Sequence, residues 1–246
     1  MLVNFIHIAV IGTPAGLNSR SLQLPAVAIS AAAVLPLVAA LLVAVPVFFQ
    51  APLVRVAPLA AAALTLPLLA TAVLLERFGQ GPWQPLGPLL VGFSGSWLAG
   101  CLFWGWLRLH PVWHLPLEAF ALPLAVAGLG GRWRLAGAFY LASLLGTAAT
   151  DAAIAATGLM PLWTAVLAAP PSQAPLLLQQ AGDMVLHPAN LALVVSMAAL
   201  LLQTCALLWK RGGIARISAA TLATTLAVDG LFLAAALVAP QLSGLI

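Results

Sequence analysis

Seven apolar runs, each long enough to cross a bilayer and none containing a Lys or Arg, constrain this chain more than any other feature of it. They cover 26–49, 56–75, 86–107, 113–130, 135–159, 190–209 and 217–239. A hydrocarbon core of about 30 Å needs about 20 residues of helix, and only helices or closed barrels satisfy their backbone groups in lipid. The fold class that follows is all-α, a polytopic transmembrane helix bundle of seven spans. Composition closes off the alternatives, because 63% hydrophobic and 6% charged residues in 246 leave too little polar surface for a water-soluble globule and too little charge for a disordered chain. Two cysteines do not build a disulfide-stapled module.

Nine Lys and Arg against five Asp and Glu give a net charge of +4. Sorted onto alternate sides of the runs, Arg20, Arg77, Arg132, Arg134, Lys210, Arg211 and Arg216 fall on one side, and only Arg55 and Arg108 on the other. Short cytoplasmic loops collect such cations, so the N-terminus is expected to be cytoplasmic and the C-terminus lumenal or periplasmic. An even number of spans would destroy this separation. The same reading makes the lipid bilayer, not nucleic acid, the partner of the basic residues. Residues 1–25 read as a lead-in, 26–240 as a single transmembrane domain and 241–246 as a tail. A long lumenal or periplasmic loop at 160–188 carries Pro161, Pro170, Pro171 and Pro175. Its stretch 176–186 reads either as a short interfacial helix capped by Ser172 or as a proline-rich connector.

Two outward-running spans share one pattern. Ser143, Thr147 and Asp151 recur as Thr221, Thr225 and Asp229, each set at i, i+4 and i+8 and therefore on one helix face. A third outward span has Gly92, Ser96 and Gly100 at the same spacing, with Trp104 in the place of Asp. Internal repeats of this kind are a common plan in transporters. The small residues equally serve close helix packing, within the chain or against a second copy in a homo-oligomer or another membrane protein.

Glu118, Asp151 and Asp229 are the only charges inside the seven runs. A carboxylate at mid-helix costs about 2.5 to 3.5 kcal/mol to insert and has to face the bundle interior, which makes each a candidate for substrate binding or proton handling. The plainer alternative is ion pairing, most simply Arg108 with Glu118 and Arg55 with Asp151, which leaves Asp229 without a cation at its depth. The stretch 104–118 adds Trp104, Trp106, His110, Trp113 and His114. It reads as an interfacial aromatic belt, or as a place where His110 or His114 ligates a pigment or relays protons to Glu118. No metal-ligand spacing, phosphate-binding glycine loop or catalytic serine elbow is present in the sequence, so no catalytic residue and no metal is assigned and the cofactor is left unknown.

The strings VPVFFQAPLVR (45–55), GFSGSWLAGCLFWGWLRLHPVWHLPLEAFALP (92–123), YLASLLGTAATD (140–151) and LMPLW (159–163) carry a resemblance to a family of uncharacterised multi-pass membrane proteins of cyanobacteria. The resemblance runs from about residue 43 to about residue 239 and implies a thylakoid or plasma membrane, but no activity and no site residues. Three functions are weighed on the residues: small-solute binding or transport on the three carboxylates, modification of an isoprenoid or carotenoid with Glu118 as acid, and an accessory or assembly role in a photosynthetic complex. For the second, Pro116, Leu117 and Glu118 resemble the Pro-x-Glu string of membrane lycopene cyclases.

Overall fold

The computed structural model describes residues 31–241, so the expected lead-in, Arg20 and residues 242–246 lie outside it. Among the described residues the chain is a helix bundle without strands. Its frame is four helices that run in the same direction: α1 (Ala31–Val56), α4 (Leu86–Leu102), α7 (Arg134–Ala156) and α11 (Gly213–Val238). The shared direction is read from their contacts. Gln50 of α1 reaches Trp97 and Cys101 of α4, and a Cβ on Gly92 or Gly95 of α4 would meet Ala136 or Tyr140 of α7. Ser218 of α11 bonds Ala138 of α7, while further out Asp229 meets Thr150. Phe48 of α1 stacks on Phe232 of α11, which closes the four into a ring.

Segments running the other way join these four. The first return is α2 (Pro58–Ala63) and α3 (Thr65–Phe78), interrupted at Leu64, where Pro67 cannot donate to the carbonyl four residues earlier. The Trp97 indole donates to the Ala61 carbonyl at 2.9 Å beside that interruption. The last return, α10 (Pro188–Arg211), is continuous and leads into α11.

The middle return departs from the sequence-based expectation of an unbroken span over 113–130. It consists of a 3-10 turn (Pro111–Trp113), α5 (His114–Glu118) and α6 (Leu122–Gly128). Pro111, Pro116 and Pro123 punctuate it, each lacking the N–H that a continuous helix would use. Among the described residues six helical segments, with α2 and α3 counted together as one, are long and apolar enough to cross a membrane, and this return is not one of them. The broken segment still makes the passage, because α4 and α7 run the same way and the chain between them has to come back. His114 lies against Asp151 near one end of α7, and the Ala125 carbonyl lies where a Cβ on Gly137 would sit, near the other.

The break is closed by one side chain. The Tyr140 hydroxyl accepts from the Ala121 N–H at 3.1 Å and donates to the Glu118 carbonyl. Those two backbone groups flank the gap between α5 and α6, where in lipid no water would satisfy them.

Helix ends also shift from expectation. α1 continues past Phe49 to Val56, so Gln50 and Arg55 belong to the helix and not to a loop. Gln50 is tolerated there because its amide donates to the Trp97 carbonyl at 2.6 Å. The long loop folds as α8 (Met160–Ala168) and α9 (Ala174–Leu186). The residue before α9 is Gln173, without a side-chain cap bond, so Ser172 is not the cap. α9 turns Leu178, Gly182 and Val185 inward, and Gly182 packs so closely that a Cβ would lie 2.8 Å from Leu237 of α11.

Candidate functional site

The polar faces of the four parallel helices converge on one cavity of about 510 Å³, within the range of small-molecule sites. α1 contributes Gln50 and Arg55, and α4 contributes Ser96, Gly100 and Trp104. Beyond α4 the helix widens into a π turn over Phe103–Leu107, which delivers Arg108 to the same wall. α7 supplies Ser143, Thr147, Thr150 and Asp151, and α11 supplies Thr225 and Asp229. His114 and Glu118 enter from α5.

The repeat acquires a spatial meaning in this arrangement. A Cβ on Gly146 would sit 2.7 Å from Thr225, and Thr150 meets Asp229, so the two Thr-Asp faces lie side by side in matched register. Ser143, Thr147, Thr225 and the two aspartates face the cavity, as do Ser96 and Gly100. Gly92 does not line it; its missing side chain admits the Ala136 backbone, with a Cβ position only 2.5 Å from that carbonyl. Thr221 is fully buried below the cavity, and its hydroxyl has no hydrogen-bond partner among the described residues. Gly92 is thus covered within the chain by α7 and Gly100 by the Gln50 amide, while Ser96 stays open to the cavity.

The expected ion pairs do not form. His114, not Arg55, is the partner of Asp151, with Nδ1 at 2.9 and 3.0 Å from the two carboxylate oxygens. Among the described residues the Arg–carboxylate pair that does form is Arg132 with Glu76, at the opposite end of the bundle. Arg108 and Glu118 share the cavity without pairing. The Asp229 carboxylate accepts from the Thr150 hydroxyl at 2.5 Å.

An aromatic rim surrounds His114. Its ring lies 4.3 Å from that of Phe103 and 5.7 Å from that of Trp163. Trp163 belongs to α8, stacks on Trp104 at 5.8 Å and donates its indole N–H to the Arg108 carbonyl at 3.1 Å. The long loop therefore builds part of the site. His110 lies exposed in the turn before α5 and does not line the cavity. Among the described residues no cluster of three or more His, Cys, Asp or Glu is placed to hold a metal ion.

Below the cavity lies an apolar layer of Phe93, Trp97, Phe139, Ala39, Leu89 and Ile217. Beneath it, at the end where α1, α4, α7 and α11 begin, is a second hollow of about 880 Å³ lined by Glu76, Arg132, Arg134 and Arg216. Arg20 aside, which lies outside the described residues, the two groups of cations sorted from the sequence thus sit at opposite ends of the bundle. Sequence reasoning missed Gln50, Tyr140, Thr150 and Trp163. Tyr140 is the single tyrosine of the chain, and that alone was a signal; the other three depend on neighbours distant in sequence.

A family model described as "Protein of unknown function (DUF3120)" matches residues 39–237. No curated protein matches the chain, and no solved structure matches it.

Proposed function

The chain belongs to that family of proteins of unknown function, and on that premise we propose that this integral membrane protein binds a small solute in the outer cavity as the loading step of transport. The observation that carries the reading is the convergence of the Thr-Asp faces of α7 and α11, with Arg55, Arg108 and Glu118, on one small-molecule-sized space. Charged groups inside a membrane bundle are expensive, and proteins retain them where they meet water, ions or a ligand. A discontinuous crossing beside the site supports the same reading, because transporters commonly build their sites from broken helices. Cavities above and below a single apolar layer give a path that small movements of the ring would alternately open. The proposed location is a cyanobacterial thylakoid or plasma membrane with the Arg-rich end cytoplasmic, a reading supported by the resemblance of the sequence and by the distribution of its basic residues.

Thiol labelling tests the reading. In a background with Cys101→Ser and Cys205→Ala, a cysteine at Ser143 is expected to react with a water-soluble methanethiosulfonate, and one at the lipid-facing Ala199 to stay inert. An unreactive cysteine at Ser143 in the folded protein would remove the solute pathway.

A second reading has its own observation. Glu118 and the His114–Asp151 pair stand on a cavity above an apolar floor, an arrangement suited to acid–base work on an isoprenoid or carotenoid. Glu118→Gln would then alter the carotenoid profile of the host, and an unchanged profile would sink this alternative. For a pigment-bearing accessory role, the absorption spectrum of the gently purified protein decides: a colourless protein excludes it.

A further inference from the structure

We propose that the solute is an extended zwitterion, its anionic end held by Arg108 and Arg55 and its cationic end by Asp229 and Glu118. This rests on the solute-cavity reading above and names the chemical class that the cavity would take.

The argument begins with how the charges are segregated. The two guanidinium groups come from α1 and from the end of the π turn after α4; the carboxylates come from α5, α7 and α11. All line one cavity, yet among the described residues no Arg–carboxylate pair in it comes within 4.0 Å. Opposite charges in a bundle interior ordinarily pair, since each isolated charge there carries a desolvation penalty. Here they are held apart on different helices.

Asp151 is already hydrogen-bonded by His114. That leaves Glu118 and Asp229 facing Arg55 and Arg108. Arg55 is exposed at the rim and Arg108 is half-buried. The Glu118 carboxyl has no hydrogen-bond partner among the described residues, and the one Asp229 has is the Thr150 hydroxyl. A ligand with one charge would compensate one wall and leave the other as it was, whereas a zwitterion answers both.

Size sets the distance between the two ends. A sphere of the cavity's volume, about 510 Å³, is roughly 10 Å across, so the ammonium and the anion should be separated by a chain of several carbons. Phe93, Trp97 and Phe139 at the floor give that chain an apolar surface.

Three probes of one length and different charge test the proposal: 6-aminohexanoate, hexanoate and hexylamine, each titrated against the purified full chain in nanodiscs by calorimetry. The zwitterion is expected to bind at least tenfold more tightly than either singly charged probe. Arg108→Gln should remove its advantage over hexylamine, and Asp229→Asn its advantage over hexanoate. Each variant keeps the other end as an internal control of folding: Arg108→Gln should still prefer the zwitterion to hexanoate, and Asp229→Asn should still prefer it to hexylamine. Hexanoate binding as well as the zwitterion would overturn the proposal, making the carboxylates neutral and the cavity an anion site. Hexylamine binding as well would overturn it in the other direction. Equal affinity for all three, or for none, also ends it; the labelling of Ser143→Cys then tells whether the solute cavity falls with it.

Discussion

α10 and the α5–α6 crossing both carry the chain back between helices that run the same way, and they are built in opposite manners. α10 is one continuous helix whose single buried residue is Cys205, and Leu191, Val195, Leu200, Leu202 and Leu207 stand exposed along it. Its backbone satisfies itself, as lipid requires, and it needs little from its neighbours. The α5–α6 crossing breaks after Glu118, leaves backbone groups without helical partners and recovers them from Tyr140 on α7. The break also presents His114 and Glu118 to the cavity. Irregular backbone at membrane depth is tolerated only where protein or a water-filled space covers it. Of these two returns, the one that abandons the helix is the one that brings ionisable side chains to the cavity.

That contrast can be broken most severely at Tyr140. Tyr140→Phe removes one hydroxyl and strands two backbone groups, which should cost about 2–4 kcal/mol in unfolding from mixed micelles. A change below about 1 kcal/mol would mean that the break closes some other way. Gly137→Ala comes next: a Cβ there lies 2.4 Å from the Ala125 carbonyl of α6, and backbone cannot step aside as a side chain tip does. A loss of about 2 kcal/mol is expected from that overpacking, and a neutral result would show that α6 floats on α7.

Asp151→Asn should be milder, about 1–2 kcal/mol, because the amide retains a hydrogen bond to His114 while losing the charge. Its sharper readout is the part of the tryptophan emission that Trp163→Phe removes, which isolates that one of eight tryptophans and should shift if α5 is anchored by this pair and stay put if it is not. The smallest effect belongs to α10. Thr204→Val deletes a hydroxyl that bonds only the Leu200 carbonyl of its own helix and should leave stability within about 0.5 kcal/mol. A cost approaching that of Tyr140→Phe would erase the difference between the two crossings.

Much of this was legible in the sequence because it is local. The spans 86–107, 135–159, 190–209 and 217–239 differ from the helices by a few residues, since insertion into lipid is decided by about 20 neighbouring side chains taken together. The span 113–130 is a crossing but not one unbroken helix, for the opposite reason: its apolar content is adequate, but Pro111, Pro116 and Pro123 interrupt the hydrogen bonding that content alone does not report. The cavity-facing stripe was visible as an i, i+4, i+8 repeat, yet whether it would pack or line a space was not. Gly92 packs while Ser96 and Gly100, on the same face, look into the cavity.

By itself the sequence determined an all-helical membrane protein, the separation of seven cations from two, and three intramembrane carboxylates with nowhere to go but inward. Composition and periodicity act over one or two helical turns, and these properties need nothing more. Only the tertiary structure decided that His114 rather than Arg55 answers Asp151, that Tyr140 closes the break, and that Thr150 meets Asp229 across 79 residues of chain. Those pairings depend on which helices lie side by side and in what register, and a helix face carries no record of its neighbour until the bundle has assembled.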